Sequence, residues 1–540
     1  MNFSSSWRRI GCLLTTLHAL PSLGTAITSS IKTADGVING LPRDSAGIVT
    51  FLGIPYAAPP VNELRWKPPH PVAPHLRSTI AAIEYGNSCW SSYSGQPTYR
   101  PQDEDCLTVN VWTGALHSTD KLPVMVWIYG GGFQFGASAD PSYNGTSLAT
   151  QGVVLVSFNY RLAALGFLAL PELDCEGSAS GNFGLQDQIA ALKWIKANIA
   201  PFGGDPDNIT IFGQSAGAHS VGILVASPLA HGLFNKAILE SGAWWDSEHG
   251  SLNTYQQART AGLAFQKTLG AKDITGLRKL SAATIMAANI WDPNSDPALT
   301  SFSPSIDNYV LPATPGTIFA RGEQAKIPLL AGWTSEEETL FLGRSPPTAN
   351  PAYQQDLKRL FNSKISEALI LYPGSTSSLR NTSAAALIGD FIIRQQTWEA
   401  AEWQYKAHVK DIYIYYFTYT SPYSPVAAHT AELPFVFGNL ELGSNPIFGG
   451  QSISTPSSTD IQFSKNLMTY WSNFAKKGNP NGSGVPAWPA YKGVRDPSDT
   501  LLLNNTIIPY LYDYNRFEFI KSFRRNGILP LTWREVDPRN

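Results

Sequence analysis

The stretch GQSAGAHS, Gly213–Ser220, sets one serine among residues with almost no side chains, directly behind the apolar run NITIFGQ. A serine on a sharp turn from a strand into a helix projects its hydroxyl beyond the sheet, and that turn closes only if its neighbours are small. Small residues also let a helix pack tightly on a sheet for purely structural reasons, so the five-residue G-x-S-x-G pattern leaves both readings open. The nucleophile reading requires a strand before Ser215, a helix after it, and an acid and a base further along.

The flanking sequence supplies the scaffold. Between about residues 105 and 240 short apolar runs alternate with amphipathic ones, and LTVNVWTG, LPVMVWIYG, VVLVSFNY and NITIFGQ read as strands: rich in β-branched and aromatic residues, and ended by turn formers. LQDQIAALKWIKANI carries apolar residues at helical spacing and sits between two of them. Strand–helix–strand order predicts an α/β fold with a mostly parallel sheet covered on both faces, where ligands bind beyond the carboxyl ends of the strands. From about 250 to 410 the chain is more helical, with AALIGDFIIRQQTWEAAEWQYKAH as its clearest helix and PLLAGW and DIYIYYFTY as strands. GIPYAAPP and KKGNPNGSG read as surface loops. No internal repeat or long linker divides the chain, so residues 27–540 are expected to form one domain.

A serine hydroxyl is a weak nucleophile until a base takes its proton, and the base needs an acid to hold its tautomer. Behind a G-x-S-x-G elbow these partners follow in the order Ser, Asp/Glu, His. His219 lies one helical turn past the serine and reads as a packed residue below the elbow. IPLLAGWTSEEETLFL offers Glu336, Glu337 and Glu338 behind a strand, although a glutamate cluster is also what a solvated turn looks like. After them only His408 and His429 remain. His408 ends an amphipathic helix, whereas His429 lies in the loop SPVAAHTAELPFVFG after a strand, and position favours His429. Upstream, WIYGGGFQFG follows a strand and sets three glycines where backbone N–H groups can turn toward a developing oxyanion.

The bulk properties exclude other classes. Apolar residues make up 43% and charged residues 15% of 540, enough for a large core and unlike a disordered chain. Net charge is −2 with no basic run, which gives nucleic-acid binding no electrostatic support. Arg8 and Arg9 precede IGCLLTTLHALPSLGTA, which reads as a signal peptide over residues 1–26 and predicts a secreted, extracellular protein. No later segment is apolar and long enough to span a membrane. Asn144, Asn208, Asn381, Asn481 and Asn504 begin N-x-S/T sequons and are candidate glycosylation sites. Cys89, Cys106 and Cys175 follow the signal; spacing makes a Cys89–Cys106 disulfide plausible and leaves Cys175 over.

Seven ordered blocks resemble the type B carboxylesterase/lipase family of the α/β-hydrolase fold, from about residue 30 to 525. They are FLGIPYAAPPVNELRWKPP, EDCLTVNVW, WIYGGGFQFG, NYRLAALGFLALP, the run from GNFGLQDQ to FGQSAG, SEEETLF and AHTAELPFVFG. The resemblance implies Ser215 as nucleophile, Glu337 as acid and His429 as base, with Gly131, Gly132 and Ala216 forming the oxyanion hole. It also implies the Cys89–Cys106 disulfide, ion pairs Arg65–Glu104 and Arg161–Asp187, and a hydroxyl from Ser241 beside the acid. Phe133, Trp244 and Trp245 are candidate pocket residues, although core packing explains large aromatics equally well.

Two departures bear on substrate. Many members carry Glu where this chain has Gln214, so a cationic, choline-like substrate loses one attractive charge. Only sixteen residues lie between Cys89 and Cys106, where lipases of the family have a longer lid. The expectation is a serine hydrolase of small to medium carboxylic esters that needs no metal or organic cofactor, with its oligomeric state open. Acyl transfer by the same triad, a lipase acting on longer acylglycerols, and a non-catalytic adhesion protein are the rivals.

Overall fold

A computed structural model describes residues 24–72, 79–92, 99–244, 252–289, 302–339, 353–442, 455–494 and 499–524. Most of the signal segment 1–26 lies outside the described residues, as does Trp245. The apolar runs become ten strands: β1 (Val49–Pro55), β2 (Thr108–Thr113), β3 (Leu122–Ile128), β4 (Val154–Phe158) and β5 (Gly204–Gln214), then β6 (Lys236–Glu240), β7 (Leu329–Thr334), β8 (Ile412–Phe417), β9 (Thr500–Leu503) and β10 (Ile508–Tyr510). They form one sheet in the order β1-β2-β4-β3-β5-β6-β7-β8-β9-β10. Pairing is parallel from β4 through β9 and antiparallel at β1–β2, β2–β4 and β9–β10.

Four helices matter for the site. α1 (Phe183–Asn198) connects β4 to β5, and α2 (Ala216–Ala226) leaves β5. α3 (Ser377–Gly389) and α4 (Gln395–Lys406) precede β8. A further helix, α5 (Ser458–Lys477), packs on β3 and β5. Helices on both faces explain why Ile209–Gln214 and all of β6–β8 except Tyr416 are buried, and hence why their sequences are nearly unbroken apolar runs. A smaller cluster, including Tyr353, Leu357, Phe361, Tyr372, Phe391 and Phe519, forms a satellite core under the helical region. The Cys89–Cys106 disulfide forms and Cys175 is free and exposed. Arg161 and Asp187 make a buried fork of two 2.7 Å hydrogen bonds, and Arg65 pairs with Glu104 likewise.

Two expectations change, and one strand is added. GIPYAAPP is not a surface loop: Gly53–Pro55 end β1, and Ile54, Tyr56, Ala57 and Pro60 are buried. Proline fits there because β1 is an edge strand, where a missing N–H breaks no interior ladder. The segment around AALIGDFIIRQQTWE is not one α-helix, because Asp390–Arg394 widens into a π-helical turn between α3 and α4. Finally, β6 lies at the centre of the sheet, although KAILE is too short to declare itself against a helix turn.

Candidate active site

The serine sits where β5 ends and α2 begins. Ser215 takes φ +57°, a conformation that strains an L-residue, and its N–H donates to the Glu240 carbonyl of β6 at 3.0 Å. The surrounding glycines are dictated by contact. A Cβ at Gly213 would lie 2.6 Å from both the Ile128 carbonyl oxygen and the Gly217 carbonyl carbon, and one at Gly217 would overlap that same oxygen. Any side chain at either position would push the elbow off β3. The N–H of Ala216, in the first helical turn, has no intrahelical acceptor.

Glu337 follows β7 and His429 follows β8, so parallel neighbours deliver both to the same sheet edge as Ser215. Their loops are joined: the Glu336 N–H donates to the Ala427 carbonyl at 3.0 Å, and Ser335 N–H to the Phe417 carbonyl at 2.9 Å. His429 Nδ1–H donates to Glu337 Oε2 at 2.5 Å, with both side chains fully buried. Glu337 Oε1 accepts from Ser241 Oγ at 2.7 Å and from the Thr334 N–H at 2.6 Å. With Nδ1 carrying the proton, Nε2 presents a lone pair, and the Gln214 side-chain amide donates to it at 3.0 Å. His429 Nε2 thus lies beside the residue that precedes Ser215.

Electrostatics separate the neighbouring carboxyls. Burial pushes Glu337 up, but the His429 charge, hydrogen bonds from His429 and Ser241 and the Arg394 charge outweigh it and hold Glu337 below the usual carboxylate range. Glu240 is pushed up to about 8 by burial, with the Trp471 indole N–H opposing at 2.6 Å. Glu432 is also raised well above the usual carboxylate range, first by burial and then by the negative charges of Glu240 and Glu337. Of the three, Glu337 is the one whose surroundings favour the ionised form. His219 is driven well below its usual value by burial and then by the His429 charge, so it stays neutral under the elbow.

The glycine loop packs onto the serine: a Cβ at Gly130 would stand 3.1 Å from Ser215 Cβ. Gly131 and Gly132 take φ +103° and +61°, and among the described residues no backbone carbonyl in a turn or loop accepts from the N–H of Gly131, Gly132 or Ala216. Phe133, with φ +62°, is buried edge-on to Phe167. Trp244 is fully buried with its ring 4.9 Å from that of Phe319, and its N–H donates to Gln396 Oε1.

Sequence reading missed several residues here. Glu432 lies within SPVAAHTAELPFVFG and Glu240 ends KAILE, but nothing local marks either as buried. Arg394 and Gln396, from the helical region, carry no signal at all. Of the alternatives left open, Glu336 is half-buried, Glu338 pairs with Arg394 at 2.8 Å, and His408 is exposed.

Comparison with known proteins agrees with this architecture. A family model described as the carboxylesterase family matches residues 27–512. The chain is 36% identical to a para-nitrobenzyl esterase of Bacillus subtilis over 502 residues, covering 88% of this chain and 95% of the relative. It is 34% identical to a fumonisin B1 esterase of Sphingopyxis macrogoltabida, covering 85% and 84%, and 33% identical to a mouse cholinesterase, covering 87% and 83%. Among solved structures, a PNB esterase aligns with TM-score 0.75 at 34% identity, over 93% of this chain and all of the other. A Geobacillus stearothermophilus carboxylesterase aligns with TM-score 0.74 at 30% identity, over 91% and 99%.

Proposed function

The chain belongs to the carboxylesterase family and is a carboxylic ester hydrolase of the α/β-hydrolase fold, and from that premise we propose that Ser215, Glu337 and His429 are its catalytic triad. The supporting observation is the buried Glu337–His429 contact of 2.5 Å beside a serine at positive φ. In the first step Ser215 Oγ replaces the Gln214 amide at His429 Nε2. It then gives up its proton as it bonds to the ester carbonyl carbon, while the N–H groups of Gly131, Gly132 and Ala216 hold the oxyanion. Collapse breaks the C–O bond, and the alcohol leaves with the proton from Nε2. Water, deprotonated by the same nitrogen, attacks the acyl-enzyme and frees the acid and Ser215. Glu337 stays ionised throughout and stabilises the imidazolium.

The preferred substrates are small to medium esters. The short Cys89–Cys106 loop supports this reading, and the neutral Gln214 argues against a cationic alcohol. Phe133, Trp244 and Trp245 are the candidate pocket-wall residues. Residues 1–26 direct export, followed by a single domain over 27–540. Among the described residues no helix is long and apolar enough to cross a membrane. Asn144, Asn381 and Asn504 are partly exposed sequons. At Asn208 and Asn481 a glycan would compete with hydrogen bonds to the carbonyls of Lys476 at 3.3 Å and Trp488 at 2.8 Å.

Replacing Ser215 by Ala should lower kcat on p-nitrophenyl acetate by up to about a millionfold, as triad knockouts do. An organophosphate should label Ser215 in the wild type. Wild-type turnover in the variant refutes the assignment.

A further inference from the structure

The π-helical turn Asp390–Arg394 presents one buried guanidinium to the loop that carries Glu337. Arg394 Nε donates to the Thr334 carbonyl at 3.2 Å, and Nη2 donates to the Ser335 carbonyl at 2.6 Å and to Glu338 Oε2 at 2.8 Å. Those three acceptors bracket Glu337 on both sides. Nη1 turns back to Asp390 Oδ1 at 3.0 Å. Asp390 is itself held by Arg516 at 3.2 Å and by the Tyr372 hydroxyl at 3.1 Å, so the guanidinium is fixed from its own helix as well.

Room for this arrangement is built into the helix. A Cβ at Gly389 would stand 2.5 Å from Arg394 Nη1 and 2.8 Å from Cζ, and these are the nearest atoms it would meet. The glycine thus lets the guanidinium lie flat along the helix. The wider turn also resets the phase of the face that follows. Two residues on, Gln396 reaches the Trp244 N–H at 3.0 Å, beside the elbow. Wide turns of this kind concentrate at functional sites.

We propose that Arg394 is a positioning residue for the catalytic acid: a clamp, seated by Gly389 and the π-turn, that fixes the Thr334–Glu338 loop so that Glu337 meets His429. The proposal rests on Glu337 being the triad acid. Glu337 takes a donor from its own loop, the Thr334 N–H at 2.6 Å, so a shift of that loop moves the carboxylate directly. Misplacement of about 1 Å near the reacting groups can lower turnover about a hundredfold. Lysine at 394 keeps the charge but not the fork that reaches two carbonyls and a carboxylate together.

The test measures kcat, KM and Tm for Arg394→Gln, Arg394→Lys and Gly389→Ala, with Glu337→Gln as reference, on p-nitrophenyl acetate. Gly389→Ala is the most informative variant, because alanine favours a helix interior while displacing the guanidinium. Its kcat should fall about tenfold to a hundredfold with KM little changed. Its Tm should fall less than that of Arg394→Gln, because the helix propensity of alanine offsets part of the cost of disturbing the buried pairs to Asp390 and Glu338. Arg394→Lys should lie between wild type and Arg394→Gln. If Glu337→Gln is inactive while Gly389→Ala and Arg394→Lys keep wild-type kcat, the clamp is overturned and the triad stands. Wild-type turnover in Glu337→Gln overturns the triad reading, and the clamp with it.

Discussion

Replacing Gly131 by Ala, with Gly132→Ala beside it, separates an oxyanion loop from a merely flexible one. Gly131 has φ +103°, and its carbonyl accepts from the N–H groups of Gln134 and Phe135 at 2.9 and 3.2 Å, so the turn is tightly wound. A Cβ there would overlap the Phe135 carbonyl oxygen, which is backbone and cannot rotate away. The turn must open, taking the Gly131 N–H out of line. Loss of one oxyanion donor costs about 2.7–4 kcal/mol of barrier, or about a hundredfold to a thousandfold in kcat. Gly132 has φ +61° with nothing within 4 Å of a Cβ, so Ala there meets strain of about 1–2 kcal/mol and no obstruction. Both variants should therefore lose stability, but only Gly131→Ala should lose most of its kcat on p-nitrophenyl acetate, read alongside thermal melts. A folded Gly131→Ala enzyme within about threefold of wild type, well under the expected loss, would refute the argument.

Two further outcomes follow from the buried carboxyls. Glu337 is ionised more readily in the folded chain, so its stabilisation is present above its unfolded pKa of about 4.3 and is lost as pH falls through the lower folded value. Ser241→Ala removes one hydrogen bond to this carboxylate, so it should lower unfolding free energy at pH 7 by about 1.5–3 kcal/mol. Urea titrations should show that gap narrowing in acid, and a gap independent of pH would contradict the assignment. Glu240 has the opposite sign: its contribution is complete below about 4.3 and is lost as pH rises through about 8. Glu240→Gln keeps an acceptor for the Trp471 indole and should gain Tm on wild type across that window, then level off; a constant difference in melts from acid to alkaline pH would show that Glu240 does not titrate there.

Much of the scaffold is legible in local sequence because parallel strands buried on both faces must be apolar throughout. That is why LPVMVWIYG, VVLVSFNY, NITIFGQ, PLLAGW and DIYIYYFTY could be read as strands. The reading failed where local chemistry is ambiguous. GIPYAAPP looks like a surface loop because glycine and proline are turn formers, yet Gly53–Pro55 are the last residues of the edge strand β1 and Tyr56, Ala57 and Pro60 beyond them are buried. KAILE is five residues long, and its place at the centre of the sheet depends on pairing with β5 and β7 on either side. The π-turn at Asp390–Arg394 has no signature in its letters, since its phase is set by what Arg394 reaches across to.

The candidate site divides along the same line. Gly213-Gln-Ser-Ala-Gly217 and the glycine triplet are legible as a tight elbow and a close-packed loop, because backbones that must nearly touch leave a local mark in small residues. The choice of Glu337 over Glu336 and Glu338 came from family resemblance, and nothing in SEEETLF itself distinguishes the three. Charge state is set by surroundings. Ionisation is favoured at Glu337 and disfavoured at Glu240 and Glu432 because segments more than 90 residues away bring His429 and Ser241 to the first, whereas burial outweighs the single indole donor at Glu240 and, with like charge, the weaker donors at Glu432. Local letters specify which turns can close; long-range packing settles which of several identical side chains keeps its charge.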